Sequence, residues 1–253
     1  MLRVPVRRTT LLRLIACLGL LGGLLAMDGG VLPATAQSVT YGLRAGGTFA
    51  SFRGDEQQLT SVEEESPEST AELGRRAAVR AGGFVRVGLT DWLAVQPELQ
   101  YVQKGATLDA TIRSTDPQTD EVEPLAEIDQ TARLNYLQLP VLARLRVPGL
   151  GSFQPSVVVG PSFGVTLESE TETDVDSRVD GLEDDHVTVD TDTPKTEWGA
   201  VVGGAVAYQL SSGQAVSLDV RYNAGVTDVS PEEADLSIQN EVISVEIGYT
   251  FSF

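Results

Sequence analysis

His186, the only histidine in the chain, lies in "GLEDDHVTVDTDTP" beside Asp184 and Asp185, either of which could orient its ring as a general base. General-base work needs a held geometry within hydrogen-bond reach of the reacting proton. A stretch so rich in Asp and Thr reads first as a solvated loop. Around it stand Glu168, Glu170, Glu172, Asp174, Asp176, Asp180, Glu183, Asp190 and Asp192. Carboxylates are hard oxygen ligands suited to calcium or magnesium, but no calcium-loop pattern with its fixed glycine organises these. A diffuse cation atmosphere, a surface adapted to salt, and recognition of a specific ligand all fit such a charge run. The sequence has no Cys/His metal spacing, nucleophile elbow or phosphate loop. It predicts no catalytic residue, no metal and no cofactor.

A second set of charges is embedded in apolar segments. Arg44, Arg80, Arg86, Glu98, Lys104, Arg144, Asp219, Arg221 and Glu246 are interleaved with apolar residues. Alternation with period two belongs to a strand with one apolar face. In "ISVEIGYTFSF", Ile243, Val245, Ile247, Tyr249, Phe251 and Phe253 share one face and Glu246 falls on the other. In "VSLDVRYN", Val216, Leu218, Val220 and Tyr222 oppose Asp219 and Arg221, and in "WLAVQPELQYVQKG" Leu99 and Tyr101 oppose Glu98 and Lys104. Segments near 39–52, 76–89, 130–146, 152–167 and 196–210 follow the pattern less regularly. With 92–106, 215–226 and 241–253 they make eight predicted strands. "WGAVVGGAVAYQL" also spaces Gly199 and Gly203 as a helix-packing pair, but its 13 residues are too few to cross a bilayer as a helix. Its glycines read as close-packing positions in a sheet.

The links between these segments alternate in length. Thr90-Asp91, Pro148 to Gly151 and Ser211 to Gln214 are tight, whereas 53–75, 107–129, 168–195 and 227–240 are long and acidic. An antiparallel meander with such links gathers its short turns at one end and its long loops at the other. That is the plan of an up-and-down transmembrane β-barrel, with short periplasmic turns and long external loops. A soluble eight-stranded carrier is the rival, with its apolar face turned inward. The tail favours the membrane: Tyr249, Phe251 and Phe253 suit an interfacial girdle and a terminal signal for barrel assembly. The apolar faces are then expected to meet lipid. The nine charged residues, together with Glu197 of the 196–210 segment, are expected to fill a narrow lumen as an ion network, with Glu98, Asp219 and Glu246 neutralising some of the bases.

Residues 1–36 stand apart. Arg3, Arg7, Arg8 and Arg13 precede an apolar run from Leu14 to Met27, and Ala34-Thr35-Ala36 is a small-x-small cleavage site. These are the parts of a secretory signal peptide, and the mature barrel domain is expected at 37–253. A retained anchor and a lipoprotein box at Cys17 are the alternatives. Cleavage after Ala36 leaves no cysteine, 14 basic and 35 acidic residues, a formal charge of −21. That balance argues against a nucleic-acid partner, which calls for clustered Lys and Arg.

In their order and spacing, "YGLRAGGTFASFRGD", "VQPELQYVQKGA", "LNYLQLPVLARLR", "VGPSFGVTL", "SLDVRYNAGVTDVS" and "VEIGYTFSF" resemble the PorT-like outer-membrane β-barrel family of Gram-negative bacteria, across the whole mature chain. The resemblance implies an eight-stranded barrel in outer-membrane lipid, with Phe253 read by the outer-membrane assembly machinery during insertion. It implies no one activity, because fold does not fix function. The expected role is a non-enzymatic structural or surface-interaction barrel with a closed lumen and long, disordered acidic external loops. The alternatives are an accessory barrel of a protein secretion system and a rim hydrolase or acyltransferase using His186.

Overall fold

The computed structural model describes residues 38–54, 69–115, 122–148, 151–177, 185–191, 193–210, 213–230 and 237–251. Residues 1–36, where a signal peptide is expected, Asp184 and Phe253 lie outside them. Nine strands occupy this span: β1 (Val39–Gly54), β2 (Ser69–Gly88), β3 (Leu93–Thr115), β4 (Val122–Arg146), β5 (Phe153–Ser177), β6 (Asp185–Asp190), β7 (Thr196–Gln209), β8 (Ala215–Gly225) and β9 (Ile238–Phe251).

Each pairing is antiparallel, and the order β4-β3-β2-β1-β9-β8-β7-β5 is closed by a β4–β5 pairing. Eight strands therefore form a ring, and β6 hangs on its outer part. β5 serves two neighbours along one edge: Phe153 to Val165 pair with β7, and Glu170 to Val175 pair with β6. Closure is the solution that a lipid environment requires, since no water is there to satisfy an open edge.

Residue alternation decides which face turns inward. Leu43, Val79, Leu218 and Ile247 are 53–64% exposed on the outside, while the residues between them point into the ring. Several inward positions are glycine for a steric reason. A Cβ on Gly46 would lie 2.0 Å from the Val245 carbonyl oxygen and 2.6 Å from Glu246 Cα, both on the adjoining β9. Gly105 has a φ of +124°, and a Cβ there would lie 1.9 Å from the Ala132 carbonyl oxygen of β4. A barrel this narrow bends its strands sharply, and the bends bring backbone against backbone.

Two of the sequence expectations need correction. The strands are not confined to the eight predicted segments, and the acidic stretches are not wholly loops: residues 69–75, 107–115, 122–129, 168–177 and 185–190 are strand. Here "TLDATI", "AEIDQT" and "TETDVD" continue the period of two, with acids on one face and Thr, Ala, Ile, Leu or Val on the other. Charge density suggested loops, but β-branched residues at alternate positions favour extended pairing. The result is a five-strand wall, β2 to β6, rising past the rest of the ring on the long-link side.

Candidate functional site

The interior is built from alternate residues of all eight ring strands. Arg44 on β1, Arg80 on β2, Glu98 and Lys104 on β3, Arg144 on β4, Asp219 and Arg221 on β8 and Glu246 on β9 are all buried. Arg86 on β2 is half-buried. At the centre Arg221 meets Glu98 through two parallel hydrogen bonds, Nη1 to Oε2 at 2.8 Å and Nη2 to Oε1 at 3.1 Å. Strands β3 and β8 are four apart in either direction round the ring, so this pair crosses its full width.

Other charges gather round it. Arg221 Nη2 also donates to Asp219 Oδ1 at 3.1 Å, and its Nε lies 3.7 Å from Glu246 Oε1. Arg44 Nη1 stands 3.4 Å from Glu98, 3.5 Å from Asp219 and 3.8 Å from Glu246. Arg80 reaches Glu246 at 3.4 Å and donates to Ser244 and to Gln100. Towards the long-link end, Lys104 Nζ pairs with Glu197 Oε2 at 2.7 Å and lies 4.8 Å from the centre of the Tyr136 ring. Asn240 donates to Glu197 Oε1 at 3.2 Å and to the Tyr136 hydroxyl at 3.3 Å. Arg144 is 3.6 Å from Asp219 at the other end.

Sequence reasoning on charges alone missed the neutral partners. Gln96 and Gln100 donate to the two oxygens of Glu98 at 2.5 and 2.7 Å, and Ser217 donates to Asp219 at 2.8 Å. Their signal was available: Gln96, Glu98, Gln100 and Lys104 share one face of β3, and buried polar side chains need partners.

Outside, aromatics form two belts. Tyr41, Trp92, Phe153, Tyr208, Tyr249 and Phe251 lie at the short-turn end, where the Phe153–Tyr208 and Tyr249–Phe251 ring centres are 5.1 and 4.8 Å apart. Phe49, Phe163 and Trp198 lie further along, with Phe163 and Trp198 4.9 Å apart. Tyr41 to Phe49 and Phe153 to Phe163 are steps of eight and ten residues. At about 3.3 Å per residue, reduced by a tilt of about 40°, the belts are about 20–25 Å apart, close to the height of a lipid-facing band. Apolar side chains fill the space between them.

A charged interior, an apolar band and aromatic belts around a closed ring are the marks of an outer-membrane barrel, and a model of the "Outer membrane protein beta-barrel domain" matches residues 35–230. The chain belongs to this family. The barrel is also similar to solved structures. Neisserial surface protein A is 11% identical, with 84% of this chain and 97% of that chain covered and a TM-score of 0.42. OprG from Pseudomonas aeruginosa is 14% identical, with 86% and 98% covered and a TM-score of 0.40. The outer membrane protease OmpT from Escherichia coli is 8% identical, with 89% and 99% covered and a TM-score of 0.39. No curated protein matches the chain.

His186 is not in a loop. It lies in β6 of this barrel, and its Nδ1 contacts Asp174 Oδ1 across the strand pair, both side chains being more than half exposed. Among the described residues, Asp174 on β5 is an acid that meets it. This pair ends a row that crosses the wall: Glu72, Asp109, Asp129, Asp174 and His186 are successive register partners on β2 to β6. All five are exposed, and they continue the outward face that carries Leu137 and Leu139 in β4. Beside them Arg133 and Glu172 pair at 2.5 Å, and Asn135 donates to Glu168 at 2.7 Å. Among the described residues no group of three or more His, Cys, Asp or Glu is arranged to hold a metal ion.

Proposed function

We propose that this outer-membrane barrel is a closed, non-enzymatic protein with a structural or surface-interaction role, which carries an acidic β-wall outward from the membrane. The observation that carries this reading is the Arg221–Glu98 pair spanning the ring inside a cluster of buried ions. An eight-stranded barrel has room for little beyond such side chains, so no water-filled path remains for a solute. Purified protein in planar bilayers is expected to show no steady conductance. Large, stable single-channel steps from a monomer would move the function to a porin.

The finer parts of this reading follow the sequence. Residues 1–36 act as a cleaved export signal, and Tyr249, Phe251 and Phe253 act as the signal read by the assembly machinery. The chain is a PorT-like member of its family. A PorT-like accessory role in secretion would need periplasmic partners at the short turns, whereas a surface role needs contacts on the acidic wall. Crosslinking in intact cells separates the two by where the contacts fall.

The His186–Asp174 contact supports a second reading, a hydrolase or acyltransferase at the rim, because an oriented imidazole is what general-base chemistry requires. Replacing His186 by Ala and assaying peptide and lipid cleavage tests it. Activity that disappears with the imidazole would establish the enzyme.

A further inference from the structure

The interior charges do not balance, and the surplus has a location. Among the described residues six bases, Arg44, Arg80, Arg86, Lys104, Arg144 and Arg221, point into the ring against four acids, Glu98, Glu197, Asp219 and Glu246. Near the short-turn end the nearest acid is already shared: Asp219 Oδ1 lies 3.1 Å from Arg221, 3.5 Å from Arg44 and 3.6 Å from Arg144. Arg86 has no carboxylate within ion-pair distance among the described residues. Its Nε donates to Gln96 Oε1 at 2.8 Å, the same oxygen that Arg144 approaches at 3.5 Å.

Arg86 and Arg144, joined by Arg146 at the mouth, line a small cavity that opens at this end. Gln154 and Ser156 supply neutral polar groups, while Trp92, Leu93, Ala94 and Ala207 complete the wall. Among the described residues no carboxylate lines it. A guanidinium held without a counter-charge of its own, as that of Arg86 is, is costly, and the planar forks of arginines match oxyanions. Three of them around one cavity suit a tetrahedral anion with several oxygens better than a carboxylate with two.

We propose that the short-turn mouth of the barrel is a phosphate-binding site in which Arg86, Arg144 and Arg146 hold the anion and Gln154 and Ser156 complete its hydrogen bonds. In an outer-membrane barrel this end faces the periplasm. Exposed Trp92 and Phe153 place it at headgroup depth, so the phosphate is either free in the periplasm or part of an anionic phospholipid headgroup. The site does not depend on whether the barrel conducts, so it stands or falls separately from the closed-lumen reading.

The test is thermal unfolding of the full-length barrel in maltoside micelles, read by its heat-modifiable mobility. One arm titrates inorganic phosphate against chloride at matched ionic strength. The other dopes the micelles with phosphatidylglycerol in phosphate-free buffer. The midpoint should rise saturably in one arm, as a ligand of the folded state requires. A response to inorganic phosphate identifies the free anion, and a response to the lipid alone identifies the headgroup. Arg86→Gln should weaken the apparent affinity about tenfold, the scale of one charge-assisted pair. Should that variant fail to fold, Arg146→Gln at the exposed mouth decides, with the same expectation. Midpoints that merely follow chloride in both arms, or a wild-type response in the folded variant, would overturn the proposal.

Discussion

At the scale of single residues the interior is set by pairing and by sterics. Glu98 accepts from Arg221, Gln96 and Gln100 and faces Arg44. Glu98→Ala removes the carboxylate and leaves Arg221 to Asp219 and Glu246 alone, so the folded barrel should lose about 3–5 kcal/mol, as when a buried pair is broken. Urea unfolding monitored by tryptophan fluorescence measures this. A change within error would mean that Glu98 is solvated. Glycine supplies the steric counterpart. Gly46→Ala should cost at least about 1–3 kcal/mol through overpacking against β9, whereas Gly204→Ala, on the lipid side with nothing within 4 Å of its Cβ, should stay within about 0.5 kcal/mol of wild type. The yields of heat-modifiable, folded protein from the two variants should differ accordingly. Charged residues on the inner face were legible because they interrupt an apolar alternation. The identity of each partner was not, because it depends on strands as far apart in sequence as β3 and β8.

At the scale of elements, the wall is held together despite its charge. Glu72, Asp109, Asp129 and Asp174 face one another across adjacent strands, and like charges in such positions repel. Asp129→Asn should therefore stabilise the wall by about 0.2–1 kcal/mol at low ionic strength, an effect that fades at about 1 M salt, where screening reaches only about 3 Å. Hydrogen exchange of the β4 and β5 amides at both salt concentrations reads it. An unchanged effect at high salt would assign the gain to something other than repulsion.

The segment leading into β9 has its own fastening. Asp228 Oδ1 accepts from the Ser230 hydroxyl at 2.6 Å, the Ser230 amide at 2.9 Å and the Ile238 amide at 3.1 Å. These bonds, the Ser230 hydroxyl's foremost, pull its carboxyl down to about 2. A lowered value means that the ionised form steadies the folded turn: the contribution is complete above the ordinary value of 3.8 and is lost as pH falls through about 2. Protection of the Ser230 and Ile238 amides, corrected for intrinsic exchange, should drop over that window in wild type and stay flat in Asp228→Ala.

At the scale of the whole molecule, the ring has no open edge at the level of the membrane because β1 pairs with β9 and β4 with β5. Closure depends on the last strand: Tyr41 to Gly54 of β1 pair with Phe251 back to Ile238. Deleting Phe253, or replacing it by a charged residue, should leave export intact but reduce the folded, heat-modifiable barrel in the outer membrane. Normal amounts of folded barrel would show that the terminal aromatic is not part of the assembly signal.

By itself the sequence determined the class of the molecule. A period of two with charges on one face and apolar residues on the other, repeated in eight segments with alternating long and short links, allows few arrangements besides an antiparallel barrel. These are local signals, and each can be read within one strand. Tertiary structure decided what depends on register. It set Arg221 opposite Glu98 across the ring, brought Asp174 to His186 from the neighbouring strand, and turned acidic stretches into a wall with β6 at its edge. A shift of one residue in any pairing would send a strand's side chains to the other face, so such contacts exist only once all eight strands have fixed one another.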